Sequence, residues 1–218
     1  MKKITAAVFL ALLIMAVAAS AAVVTSIPGG TVVPIPPVNY FGGGPQVFGP
    51  GITWTSTNVS NICGFPAAFG NTGPAFFGTN GNWTGALGPM ATVNNTSDFC
   101  GVTDSMTFQF STPVSAVGGF LNYYPNGSNP TTIAVYDSGG NLIESFDLTF
   151  TTSGADDTGA FYGFQESSAV IAYFTLTDNF VGITNLTTAS GVPEPGTLLL
   201  LGSGLAGAIG YGRRRLGI

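Results

Sequence analysis

The chain has 218 residues, with five Lys and Arg, ten Asp and Glu and no His, which gives a formal net charge of −5. All five cations lie in the two terminal segments, so residues 22–191 carry nine acids and no positive side chain. Because nucleic acids and anionic polymers are bound through Lys and Arg, this composition excludes them as direct partners of the central segment and leaves neutral glycans, or acidic glycans bridged by a cation.

The N-terminal residues have the pattern of a secretory signal peptide. Two lysines precede the apolar run Ile4–Val17, and the small-x-small triplet Ala19-Ser20-Ala21 marks a cleavage site. We therefore expect export by the Sec machinery, removal of residues 1–21 by signal peptidase, and a mature chain that begins at Ala22 or close by. An uncleaved N-terminal anchor is the alternative.

Proline and glycine dominate residues 22–50, which we interpret as a loosely packed lead-in with one short edge strand near Thr31–Ile35. β-branched and aromatic residues at Gly51–Val59 predict the first regular strand. Residues 61–90 are rich in Gly, Pro, Asn and Phe. They are too apolar for a disordered linker and too interrupted for a helix, so we expect a long ordered loop with short strands.

The two cysteines of the chain, Cys63 and Cys100, lie on either side of this loop. Export places them in an oxidising compartment, where a disulfide is the expected state. On the chain-entropy model, closing a loop of this size stabilises the fold by about 4 kcal/mol. Two free buried thiols are the alternative.

Regular strand signals follow in the second half of the chain. The predicted strands are Met106–Phe110, Val114–Tyr124, Thr131–Tyr136, Asn141–Phe150, Ala160–Gln165, Ala169–Thr177 and Phe180–Thr187. The turn Asp137-Ser138-Gly139-Gly140 joins two of them into a hairpin, and Gly118-Gly119 is a bulge candidate. Short strands with frequent turns predict an all-β fold, an antiparallel β-sandwich of the jelly-roll kind over residues 51–191.

The region from roughly Asp98 to Thr188 resembles carbohydrate-binding-module-like jelly rolls of exported proteins. The series FSTPVSAVGGF, IAVYDSGGNLIESF and VIAYFTLTDNFVGITNL carries the resemblance, which implies that the last strand closes the sandwich. Similar modules bind sugars or Ca²⁺, but these motifs are mostly structural and assign no binding residue. Candidate sugar-stacking side chains, which are alternatively core residues, are Trp54, Trp83, Tyr123, Tyr124 and Tyr162.

Nine acids without a counter-charge favour Ca²⁺ as a possible ligand, since this ion prefers hard oxygen donors. The best local cluster is Asp156 and Asp157 in the polar segment 151–158, and Asp178 at a later turn is a second candidate. Their spacing is not that of an EF-hand, and scattered solubilising charge is the alternative. We expect no other cofactor.

The central segment lacks the residue types that most catalytic sites need. Without His, Lys or Arg it cannot form a Ser-His-Asp or Cys-His arrangement, a Schiff base, an arginine clamp or most zinc and copper sites. Paired carboxylates remain, and Glu144 and Glu166 are its only glutamates. Strand alternation predicts that both are solvent-facing, so we expect no enzyme. A glycosidase would need one of them in a cleft within about 10 Å of another acid.

The C-terminal segment 192–218 has three consecutive parts. They are the tripeptide Pro193, Glu194 and Pro195, an uncharged apolar run, and the basic cluster Arg213, Arg214 and Arg215. The run predicts a short transmembrane helix at about residues 197–212. Because positive residues beside a span stay in the cytoplasm, the arginine-rich tail 213–218 predicts that everything before Pro193 faces outward.

This order of tripeptide, helix and arginines resembles the PEP-CTERM sorting signal of exosortase substrates. The resemblance implies an inner-membrane-anchored precursor, recognised by an exosortase-like membrane protease and then delivered to the cell surface or the extracellular polysaccharide. An ordinary anchor helix is the alternative. We therefore predict a surface or matrix protein with a structural or adhesive body. The second hypothesis is a glycan-binding module, with Ca²⁺ dependence. The third is a glycoside hydrolase.

Overall fold

The computed structural model of the protein describes residues 22–59, 65–94, 103–127, 129–177 and 180–191. These residues form one short 3₁₀ helix, Gly78–Asn80, and sixteen strands. The strands are β1 Ala22–Val24, β2 Thr31–Val32, β3 Tyr40–Phe41, β4 Gln46–Phe48, β5 Ile52–Ser56, β6 Ala68–Asn71, β7 Ala75–Phe76, β8 Asn82–Trp83, β9 Met90–Asn94, β10 Ser105–Val114, β11 Ala116–Tyr123, β12 Thr132–Tyr136, β13 Leu142–Asp147, β14 Ala160–Gln165, β15 Ile171–Thr177 and β16 Phe180–Ala189. Within the described part of the chain, no helix is long and apolar enough to cross a membrane.

Fourteen of these strands form two antiparallel sheets that pack face to face, and β7 and β8 pair separately as a two-stranded sheet. Sheet A has the order β1-β14-β11-β16-β9-β6-β3, with β2 added to β16, and sheet B has the order β13-β12-β15-β10-β5-β4. Fully buried side chains from both sheets form the core between them, and Phe164 of sheet A meets Phe174 of sheet B edge to face at 6.4 Å. The predicted all-β antiparallel sandwich is confirmed.

Local signals in the sequence placed the central hairpin correctly. β12 and β13 pair antiparallel, and the Asp137 carboxylate closes their turn by accepting hydrogen bonds from the backbone N–H of Gly139 at 2.8 Å and of Asn141 at 2.9 Å. The side-chain and backbone bonds from Asn141 lower the pKa of Asp137. The bulge predicted at Gly118-Gly119 is present, as the β11–β16 register shifts between Gly118 and Phe120.

The lead-in 22–50 is more closely built into the fold than its composition indicated. It supplies four short strands, of which β1 and β2 join sheet A directly, β3 extends it beside β6, and β4 is an edge of sheet B. Its side chains Val33, Ile35 and Phe48 belong to the main core. The predicted edge strand is present as β2 and ends before Pro34, because proline has no N–H for the ladder.

The segment 72–89, between β6 and β9, covers the outer face of sheet A. Its short strands, expected from the sequence, hold the fully buried Phe77 and Trp83 against Phe120 and Phe180 in a second hydrophobic cluster. A Cβ atom at Gly182 of β16 would lie 2.8 Å from Phe77, so only glycine lets this cover sit flat on the sheet. The described strands and both clusters fall within residues 22–191, which therefore contain both sheets and the core between them.

Candidate functional site

Several residues singled out in the sequence lie outside the described part of the chain. They are the cysteines Cys63 and Cys100, the turn acid Asp178, and the C-terminal residues Pro193, Glu194, Pro195, Arg213, Arg214 and Arg215. The disulfide therefore stays a prediction.

In the loop predicted to bind calcium, Asp157 is engaged in hydrogen bonds within the protein. Asp157, with φ at +56°, accepts hydrogen bonds from the backbone N–H of Thr84 at 2.8 Å and from the Thr84 hydroxyl at 2.7 Å. The carboxylate thus ties the loop after β13 to the cover of sheet A, while Asp156 is exposed. The described residues contain no group of three or more His, Cys, Asp or Glu placed to hold a metal, so a calcium site through Asp178 stays a prediction.

The candidate sugar-stacking rings have different surroundings. Trp54 and Trp83 are completely buried, and Tyr123 is a core residue whose hydroxyl donates to the Phe150 carbonyl at 2.9 Å. Tyr162 is stacked on Phe150 at 5.4 Å inside the sandwich edge. The core alternative therefore holds for these four, although the buried Tyr123 also lines a surface pocket. Tyr124 is the candidate that lines this pocket with a half-buried ring.

This pocket, called here the Tyr124 pocket, lies where β11 ends beside the 3₁₀ helix and the segment after β13. Its volume is about 420 Å³. The described lining residues, none of which is charged, are Thr79, Tyr123, Tyr124, Pro125, Asn126, Gly127, Asn129, Pro130, Thr131, Leu148, Thr149 and Thr151. A ligand in this pocket would meet one half-buried phenol ring, two exposed asparagines and several threonines, which can donate and accept hydrogen bonds without a fixed charge.

Two buried asparagines fix the wall of the pocket. The Asn80 amide donates to the Tyr123 carbonyl at 3.2 Å, and the Asn122 amide donates to the Asn80 carbonyl at 3.0 Å. The backbone N–H of Thr152 donates to the Asn80 side-chain oxygen at 3.1 Å. These bonds join the 3₁₀ helix, β11 and the segment after β13, so three separate parts of the chain hold one pocket shape.

The ring of Tyr124 is held in place by close packing against Phe180 and Gly78. The ring of Phe180 meets it edge to face at 6.3 Å, and the backbone of Gly78, at φ +58°, passes directly against its ring. A side chain at Gly78 would overlap the Tyr124 ring, and its backbone conformation also favours glycine. On the pocket rim, the Asn126 amide donates to the Thr79 hydroxyl at 3.2 Å.

A second polar surface, the outer face of sheet B, was not predicted from the sequence. Here Tyr136 and Tyr173 are cross-strand neighbours, and Tyr173 also pairs with Gln109 of β10. Beside them the Thr107 and Thr175 hydroxyls are hydrogen bonded at 3.0 Å. The signal was present in strand alternation, because each tyrosine directly adjoins a fully buried residue of its own strand.

The prediction that both glutamates face solvent is wrong: Glu144 is half-buried with its Oε2 atom buried, and Glu166 is only 7% exposed. Glu166 continues the inward alternation of Tyr162 and Phe164 one step past the end of β14. Burial, and secondly the charge of the half-buried Glu144, raise the pKa of Glu166 above the ordinary 4.5 of a glutamate. Neither glutamate lines the Tyr124 pocket.

Comparison with known proteins bears on the C-terminal segment. No curated protein matches the chain significantly. Residues 191–215 match the model of the PEP-CTERM protein-sorting motif, and this range includes the tripeptide, the apolar run and the arginine cluster. The motif implies a C-terminal transmembrane region and processing by exosortase, a membrane protease. The chain therefore carries a PEP-CTERM protein-sorting motif, which indicates an exported protein sorted by exosortase, and it has an all-β body.

Proposed function

We propose that the protein is an adhesive component of the cell surface or the extracellular polysaccharide, and that its sandwich binds neutral glycan in the Tyr124 pocket. Its export begins with a signal peptide that is cleaved before Ala22. The C-terminal helix then anchors the body outside the cytoplasm until exosortase processing. The observation that carries the adhesive function is an uncharged surface pocket with one half-buried aromatic ring, built on a rigid sandwich.

The chemistry of the pocket suits a sugar. Pyranose rings present C–H groups that pack on aromatic faces, while their hydroxyls need neutral donors and acceptors. Tyr124 supplies the ring, and Asn126 and Asn129 supply amides at the rim. The absence of cations from residues 22–191 disfavours phosphate and uronate ligands unless a metal ion bridges them.

A glycan array with residues 22–191 tests this function directly. We expect saturable binding to a subset of neutral oligosaccharides, weakened at least about tenfold in Tyr124→Ala because the stacking surface is lost. Tyr173→Ala on the outer face of sheet B is the matched control and should bind normally. Loss of binding in Tyr173→Ala alone would place the site on that face, and no saturable binding by any form would leave a purely structural body.

The same array, run with Ca²⁺ and with a chelator, tests the calcium dependence raised by the acidic composition. We also propose that the body is not an enzyme. The buried carboxyl oxygens of Glu144 and Glu166 support this view, because a glycosidase needs both carboxyls to face the bound sugar. Release of reducing sugar from any bound glycan, lost in Glu166→Gln, would contradict it.

A further inference from the structure

The two glutamates of the body meet at one edge of the sandwich, between the sheets. Glu144 of β13 is in register with the fully buried Val135, so it points toward the interior. Phe146, two residues further along β13, is stacked on Tyr162 of β14 at 5.7 Å, which brings β13 and β14 together across the interior. Glu166 extends the same inward row of β14, and its interaction with Glu144 reflects this proximity.

This pair is not neutralised by the side chains around it. The Oε1 atom of Glu166 and the Oε2 atom of Glu144 are buried, and among the described residues neither has a hydrogen-bond partner. Glu166 is 7% exposed, so water compensates little of its charge. Since residues 22–191 contain no Lys, Arg or His, no side chain of the body can supply a cation.

The first described strand, β1, begins near Glu166. β1 pairs antiparallel with β14, with Ala22 opposite Gln165 and Val23 opposite Phe164. The nitrogen of Ala22 therefore lies at the Glu166 end of the ladder. In the precursor this nitrogen belongs to the Ala21–Ala22 peptide bond and carries no charge.

Signal-peptide removal changes that atom. Hydrolysis by water leaves a carboxyl group on Ala21 and an amine on Ala22, and an α-amine with an ordinary pKa of about 7.7–8.0 is protonated at neutral pH. We propose that Glu144 and Glu166 form a cation site whose ligand is the α-ammonium group of Ala22 in the mature chain. The inference rests on the proposed cleavage before Ala22. On this proposal, cleavage adds a positive charge to a body that has no positive side chain. The sandwich is therefore more stable after signal-peptide removal than before it.

The pH dependence has a defined sign. The groups facing the ammonium are Glu144 from β13 and Glu166 and Tyr162 from β14, while β1 contributes no titratable side chain. Two carboxylates raise the pKa of the α-amine in the folded state. Where both glutamates are ionised, the stabilisation is therefore complete below about pH 7.7, the ordinary pKa of the amine, and is lost as the pH rises through the higher folded-state value. At acid pH it is lost again as the carboxylates are protonated.

A two-by-two comparison tests the site on residues 22–191 prepared with Ala22 as the first residue. The free-amine and N-acetylated forms are each made with the parent sequence and with Glu166→Gln, and thermal unfolding is followed at pH 6.5. Acetylation should lower the Tm of the parent by about 2–6 °C and that of Glu166→Gln by less than about 1 °C. At a pH above the folded-state pKa of the amine, the parent difference should disappear.

A second measurement is independent of stability. Carbon-13 NMR of the Glu166 carboxyl should give a lower pKa in the free-amine form than in the acetylated form. Equal effects of acetylation on both sequences, or an unchanged carboxyl pKa, would overturn the assignment. A Tm increase with Ca²⁺ in the acetylated parent that is absent in Glu166→Gln would overturn it in favour of a metal site. N-terminal sequencing of the native mature protein separately shows whether the proposed cleavage occurs, so failure of processing and failure of the site give different results.

Discussion

Gly182→Ala tests the packing that links the cover of sheet A to the Tyr124 pocket. The new methyl group would lie 2.8 Å from the Phe77 ring and 3.0 Å from the Trp83 ring, closer than carbon atoms pack. Both rings are essentially completely buried, so the cover must shift. Overpacking of this kind costs about 1–3 kcal/mol, which for a domain of this size lowers Tm by about 2–10 °C.

The effect should extend to ligand binding, because Phe77 directly precedes the 3₁₀ helix that carries Thr79 and Asn80. Differential scanning calorimetry and glycan titration of residues 22–191 measure both quantities. Gly191→Ala is the control, since a methyl there meets nothing within 4 Å. Combining Gly182→Ala with Phe77→Leu should recover part of the loss. An unchanged Tm for Gly182→Ala would refute the reasoning that the cover presses on sheet A.

Three further predictions concern individual polar side chains, and urea unfolding measures the stability change in each case. In the N-acetylated form, Glu166→Gln should be more stable than the parent at pH 7. The pKa of Glu166 is raised in the folded state, so the parent loses stability as the pH rises from 4.5 to the folded-state pKa, and glutamine removes this loss. Parallel stability profiles of the two proteins against pH would contradict this prediction. Asp157→Ala should cost about 1–3 kcal/mol because two charge-assisted bonds to Thr84 are lost, with Asp156→Ala as a near-neutral control. Asn80→Ala should cost about 2–4 kcal/mol and weaken glycan binding, since it leaves buried partners unpaired; a stable variant with normal binding would show that Asn80 does not shape the pocket.

Features fixed by neighbouring residues could be predicted from the sequence. Strand β14 has the predicted bounds Ala160–Gln165, and the Asp137 turn and the Gly118 bulge are where turn and glycine chemistry placed them. Alternation and turn residues act over a few positions, so a single sequence displays them. The sorting motif was recognisable for the same reason, because its three parts are consecutive.

Features that depend on distant partners were harder to predict. β1 has three residues and exists because β14 lies beside it, about 140 positions along the chain. Tyr124 was among the candidate rings, but its pocket is assembled by the buried Asn80, whose partners lie in other parts of the chain. Glu166 was misplaced because the strand alternation was assigned the wrong parity there: it lies one residue past β14 and continues the inward row of Tyr162 and Phe164.

The central claim is that the two terminal segments direct export and sorting and that the cation-free sandwich is the part delivered outside the cell. Intact mass and fractionation of the native protein in its own host test this claim most directly. We predict a product in the envelope or extracellular fraction that begins at or near Ala22 and has lost the arginine cluster. A cytosolic protein that keeps both ends would contradict it.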